Sequence, residues 1–201
     1  MSMNIESAAF GGVRVETPLG VIAVNAGGEI NEMEKFYIPN GNLPVAMVVT
    51  CEHRHRSRNA EAFAEKHEIP LVGAFIAFAQ MHIHAPEKWE IFPPRKVVIN
   101  QITLDLFHVK YDSADPLALT VSAGGESVGI VPDGRLTGEW PEALRKLQAC
   151  QKVFLGNKMD RLPQGSDALR RRYRGCYNTG AELTELFRDY QGEMVVAPYC
   201  H

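Results

Sequence analysis

With 201 residues, 45% of them hydrophobic, the chain can bury one sizeable core without disulfides or a structural metal, and a single domain over 1–201 is expected. A net charge of -3, with both signs mixed along the chain, excludes a global basic field of the kind that binds nucleic acid non-specifically. The longest apolar run, Leu71 to Ala79, falls far short of the roughly 20 residues of a membrane-spanning helix.

Gly12 to Thr17 and Val21 to Ala26 read as two strands joined at Pro18-Leu19-Gly20, with turn residues where a hairpin needs them. A polar loop follows. Val45 to Thr50 is then a continuous apolar run of the kind found in strands covered on both faces. It delivers Cys51-Glu52-His53-Arg54-His55-Arg56, after which Ala60, Phe63, Ala64 and His67 repeat at helical spacing up to Pro70. Leu71 to Gly73 is a short strand and Ala74 to Met81 a helix. Lys96 to Asn100 and Gln101 to Val109 read as strands, and Gly124-Gly125 joins Leu117 to Ala123 with Glu126 to Val131 as a tight hairpin. Pro141 to Ala149 (helix), Lys152 to Gly156 (strand), an Arg-rich segment, Thr179 to Tyr190 (helix) and Met194 to Ala197 (strand) complete the order. Thr179 and Glu182 form a capping box at the start of the last helix. Two sheets with outer helices fit this sequence of elements.

Chemistry concentrates after the apolar strand. In an extended segment, residues two apart point the same way, so Cys51, His53 and His55 would converge on one ion at the strand's carboxyl end. That end is where open α/β sheets carry their sites. Arg161, Arg170, Arg171, Arg172 and Arg174 form a local basic cluster that suits a phosphate-bearing ligand and equally a solvated helix face. Cys51, Cys150, Cys176 and Cys200 include no C-x-x-C pair, and no charged-then-apolar leader is visible, so a reduced, cytoplasmic setting is expected.

The order of elements and the loop at Cys51 to Arg56 resemble the metallo-β-lactamase superfamily, in particular its small phosphodiesterase-like branch, over nearly the whole chain. The resemblance implies an α/β, αββα sandwich. It also implies that His53 and Asp133, the latter in Gly129-Ile130-Val131-Pro132-Asp133-Gly134, stand at family metal-ligand positions. The other positions are changed. Cys51, His55 and Arg56 replace His, Asp and His of the signature loop, Tyr111 stands where a His is usual, and Cys176 replaces the last His. Lys158 replaces a His in the usual Asn-His-Asp, and Asn25 replaces the Asp of an Ile-Asp-Ala-Gly turn. By the same comparison the family's first strand and its glycine-rich turn are expected to be absent.

Hydrolysis on this fold resembles two-metal chemistry, in which the ions generate hydroxide and neutralise the substrate. Arg56 argues against a second ion, because a guanidinium has no lone pair to donate. Three readings follow. A metal-free protein would bind a small phosphate-bearing anion or a partner through Arg54, Arg56 and Lys158, with nucleic acid the weakest alternative. A mononuclear hydrolase would hold one zinc or other divalent ion among Cys51, His53, His55, Asp133 and Cys176, with Asp133 orienting the water. A structural or partner-binding module would need no ligand.

Overall fold

The computed structural model describes residues 2–159 and 164–198; Arg161 of the basic cluster and Cys200 lie outside them. The first half of the chain builds one mixed sheet. β1 (Asn4–Ser7) pairs antiparallel with β2 (Val13–Thr17), and β2 with β3 (Gly20–Val24). After α1 (Ile30–Tyr37), β4 (Pro44–Val49) runs parallel to β3. α2 (Arg54–Ser57) and α3 (Ala60–His67) lead to β5 (Leu71–Ala74), and α4 (Phe75–Met81) leads to β6 (Lys88–Ile91), both strands continuing the parallel order.

The second half repeats the plan. β7 (Arg95–Ile99), β8 (Ile102–His108), β9 (Leu117–Ala123) and β10 (Glu126–Val131) form an antiparallel meander. Its Gly124-Gly125 turn has both residues at positive φ, 60° and 84°, as the sequence predicts. α5 (Pro141–Gln148) carries the chain to β11 (Lys152–Lys158), parallel to β10. α6 (Asp167–Cys176) and α7 (Gly180–Leu186) precede β12 (Glu193–Pro198), parallel to β11.

Packing makes these elements four layers. Val15, Ile22 and Val48 of the first sheet share one core with Leu104, Leu119 and Ile130 of the second. Met33, Tyr37, Phe63 and Phe78 bury the helices of the first half on their sheet, and Ala143, Leu147, Leu183 and Phe187 do so for the second. β3 and β4 are covered on both faces, which is why they read as unbroken apolar runs rather than alternating ones. Among the described residues no helix is long and apolar enough to cross a membrane.

Two sequence expectations need correction. The first strand is present: Asn4–Ser7 forms β1 at the sheet edge, and its largely exposed side chains hid it from an apolar-pattern reading. Residues 30–37, read as polar loop, are helical. Only Met33 and Tyr37 of α1 are fully buried, and the intervening Glu and Lys residues mask that i, i+4 pair. Tyr37 fixes the end of β3, its hydroxyl lying 2.7 Å from the carbonyl oxygens of both Val24 and Asn25. Tyr37→Phe is expected to lower unfolding free energy by about 1 kcal/mol in urea titration, because the ring stays and only the buried hydrogen bond is lost. An unchanged midpoint would mean that the hydroxyl carries nothing at this turn.

Candidate functional site

The carboxyl end of β4 meets the loops after β8 and β10, and three backbone features set the geometry. Asn25, at φ 65°, accepts hydrogen bonds on its side-chain oxygen from the Thr50 amide (3.1 Å) and hydroxyl (2.9 Å), locking the end of β3 to the end of β4. The turn after Asn25 is sewn to α2: the Ala26 amide donates to Arg56 O at 2.5 Å, and the Asn59 amide to Ala26 O at 3.1 Å. A side chain at Gly27 would place its Cβ 1.8 Å from the His55 carbonyl oxygen, so this close approach requires glycine. Glu52 reaches across to the other half, accepting from the Ser113 hydroxyl and from the Ala114 amide at 3.0 Å.

The loop does not continue in extended form. His53 is the last extended residue, and α2 begins at Arg54. The alternation that would have aimed Cys51, His53 and His55 at one point does not hold: both histidines line one cleft, and Cys51 does not. Cys51 sits in the interior at 1% exposure, where burial, then the nearby Asp133 carboxylate, push its thiol well above the usual range. His53 and His55 stay together as stacked rings, centroids 5.6 Å apart.

Asp133 lies in the interior at the end of β10, and its partner is Arg56. Arg56 Nη2 donates to Asp133 Oδ1 at 2.8 Å; Nε stands 2.7 Å from Oδ2 as a close charge contact, though not aligned as a hydrogen bond. Both residues are 4% exposed. Burial pushes the Asp133 carboxyl up to about 6, and the guanidinium opposes that rise. Arg56 passes the turn at Gly11, where a Cβ would fall 1.5 Å from its Nη1. The passage is shaped for this side chain.

Beside the pair opens a cleft of about 480 Å³, lined by the rings of His53, His55, Tyr111, Tyr173 and Tyr177 together with Arg54, Asp112, Arg172 and Cys176. Arg54 is exposed and makes no ion pair among the described residues. Arg172 pairs with Asp112, whose other oxygen is 3.9 Å from His53 Nε2. Burial raises the Cys176 thiol, with Asp112 adding to the effect. Lys158, at the end of β11, bridges to Asn178 through the backbone and does not line the cleft.

The five candidate metal ligands are thus not gathered into one set. Among the described residues, no three His, Cys, Asp or Glu side chains are placed to hold an ion together. The donor chemistry agrees: Asp133 is neutralised by Arg56, Cys51 is held as a thiol, and Asp112 is engaged by Arg172. These residues do not fit the metal centre that the fold resemblance implies. Of the three anion-binding candidates, only Arg54 is both in the cleft and uncommitted. Sequence reasoning missed Tyr173 and Tyr177 as lining residues; their i, i+4 spacing, which begins inside the basic cluster, was the available signal.

Solved structures place the architecture. YhfI from Bacillus subtilis, a metallo-β-lactamase fold protein, matches at TM-score 0.69 and 12% identity, over 94% of this chain and 78% of its own. The chain has the metallo-β-lactamase fold. A diphosphatase from the PhnP family matches at TM-score 0.69 and 10% identity, over 92% of this chain and 72% of its own. A metallo hydrolase from Ignicoccus hospitalis matches at TM-score 0.69 and 12% identity, over 99% and 82%. No protein-family model matches the chain, and no curated protein matches it in sequence. Within the metallo-β-lactamase fold, the Arg56–Asp133 pair lies at the carboxyl ends of β4 and β10, the strand ends from which the resemblance draws metal ligands.

Proposed function

We propose that this metallo-β-lactamase-fold chain is a metal-independent binding protein for a small phosphate-bearing anion, with the Arg54-rimmed cleft as its site and the cytoplasm as its setting. One observation carries the reading: the Arg56 guanidinium supplies, in a buried ion pair with Asp133, the positive charge that metal ions would otherwise provide. A guanidinium neutralises the carboxylate and holds the two halves together, but it cannot lower the pKa of a bound water by coordination. The cleft retains an exposed cation and polar rings with which to recognise an anion. Free thiols at Cys51, Cys150 and Cys176 are consistent with a reduced compartment.

A mononuclear hydrolase is the second reading, supported by structural neighbours named as a diphosphatase and a metallo hydrolase. It requires ligands such as His53, His55 and Cys176 to regroup without Asp133. Thermal unfolding with a phosphomonoester, in the presence of EDTA, separates the two. Ribose 5-phosphate at saturating concentration is expected to raise the midpoint by a few degrees, with the shift lost in Arg54→Ala. Phosphoester hydrolysis that depends on added zinc and disappears in His53→Ala would replace this reading with the hydrolase.

A further inference from the structure

The two sheets end on one flank. β6 is the last strand of the first sheet and β7 the last strand of the second, and only Phe92-Pro93-Pro94 joins them. A sheet edge is a row of unpaired main-chain groups, which native chains usually cover, bend or crowd with charge. Here apolar side chains flank it instead. Val98 is 61% exposed, Phe92 70% and Trp89 40%, and Phe92 stacks on Phe75 with ring centroids 5.3 Å apart.

Which groups of β7 are free follows from its turn. Asn100 and Gln101 both take positive φ, 48° and 64°, so β7 and β8 meet in a two-residue primed turn. The pair flanking such a turn, Ile99 and Ile102, exchanges hydrogen bonds, and along an antiparallel ladder bonded and non-bonded pairs alternate. Arg95, Val97 and Ile99 therefore turn their main-chain groups to β8, while Lys96 and Val98 turn theirs to the open edge. The other side of β8 keeps the same phase: the Val109 amide donates to Pro116 O, in step with Thr103, Asp105 and Phe107 facing β9.

Side-chain order then selects what pairs there. Arg95 and Lys96 occupy the first half of β7, Val98 and Ile99 the second. Parallel addition of a like strand would align the cations with each other. Antiparallel addition about Val97 sets Lys96 opposite Val98 of the other strand, which are the residues whose main-chain groups point outward, and Arg95 opposite Ile99. No two cations are opposed. Each Lys96 stem covers the facing Val98 while its ammonium stays by Asp105, 3.9 Å away within the single chain. Sliding the strands one way opposes Lys96 to its own copy; sliding them the other way sets it against the turn at Asn100 and forfeits its bonds.

We infer that β7 is a self-association edge: two copies of the chain pair their β7 strands antiparallel about Val97, joining two six-stranded sheets into one. The edge matches its own copy in hydrogen-bonding phase and in charge order, and such self-complementarity is what a two-fold contact requires. Trp89 shares the flank. It points, like Ile91 two residues on, toward the space between the sheets, at the side that the second copy closes.

Sedimentation equilibrium of the full chain over a concentration series tests this pairing. Association to twice the mass of one chain is expected at tens of micromolar, and a chain that stays monomeric throughout would overturn the inference. Val98→Lys sets a like charge against Lys96 at both symmetric places and is expected to weaken association about tenfold or more. Val98→Glu, opposite the same Lys96, is expected to preserve or tighten it. Both substitutions fall at an exposed side chain, so the urea midpoint is expected to stay near that of the parent. A dimer indifferent to Val98→Lys would place the interface elsewhere. A dimer weakened equally by Val98→Lys and Val98→Glu would overturn the pairing about Val97, and with it the inference. The concentration series of the parent chain remains decisive even if a variant fails to fold.

Discussion

Arg56→Met is expected to lower the unfolding free energy by about 3–5 kcal/mol at about pH 7.5, as measured by urea titration, because it leaves Asp133 as a buried carboxylate without its cation. The pH dependence is the more specific signature. Asp133 is pushed up to about 6 in the folded protein, first by burial, with Arg56 pulling the other way. A folded pKa above the unfolded value means that the folded state retains a proton the unfolded state has lost. The contribution of this group to stability is therefore complete below the unfolded value near pH 4, and it is lost as pH rises through about 6. Without Arg56 the folded pKa rises further and the loss deepens, so the deficit of Arg56→Met is expected to shrink on going from pH 7.5 to pH 5. Replacing both members, as Arg56→Met with Asp133→Leu, is expected to recover most of the stability, since an apolar pair removes two desolvation costs at once. A single variant as stable as the parent at both pH values would mean that the pair is not a buried clamp.

Gly27→Ala is the second large effect expected, about 3 kcal/mol. The added Cβ would fall 1.8 Å from a backbone carbonyl oxygen, that of His55, which has no flexible end to move aside. The turn and α2 would have to separate. The 2.5 Å bond from the Ala26 amide to Arg56 O would be lost, as would the 2.8 Å bond from Arg58 Nε to Gly27 O. Because that turn positions Arg56, the variant is also expected to lose the stabilisation by ribose 5-phosphate in proportion to its unfolding. A normal urea midpoint in Gly27→Ala would show that the two loops are not in direct backbone contact.

Much of the fold was legible because its signals are local. The unbroken apolar run before Cys51 is β4, the paired glycines at 124 and 125 make the β9–β10 turn, and the capping box at Thr179 and Glu182 opens α7 as read from spacing alone. Elements with thin patterns were missed: β1 and β6 are edge strands of only four residues each, with few buried side chains, and α1 buries only one side of an acidic stretch. The candidate site was legible only in part. Asp133 and the His53 loop stand out in the sequence, but the partner of Asp133 is 77 residues away, and no local pattern reports such a contact. The convergence expected of Cys51, His53 and His55 rested on extended geometry; the chain instead turns helical at Arg54, with Cys51 in the interior and the two histidines together in the cleft. That turn is held by tertiary bonds to Ala26 and Gly27, not by propensity, so the local sequence could not announce it.

Metal content per chain, measured by elemental analysis on tag-free protein purified without chelator, addresses the substitution of Arg56 for metal most directly. The expected result is well below one zinc or iron per chain, in folded protein whose thermal midpoint is unchanged by EDTA. Close to one ion per chain, lost together with thermal stability in His53→Ala/Cys176→Ala, would contradict it and establish a metal centre beside the Arg56–Asp133 pair.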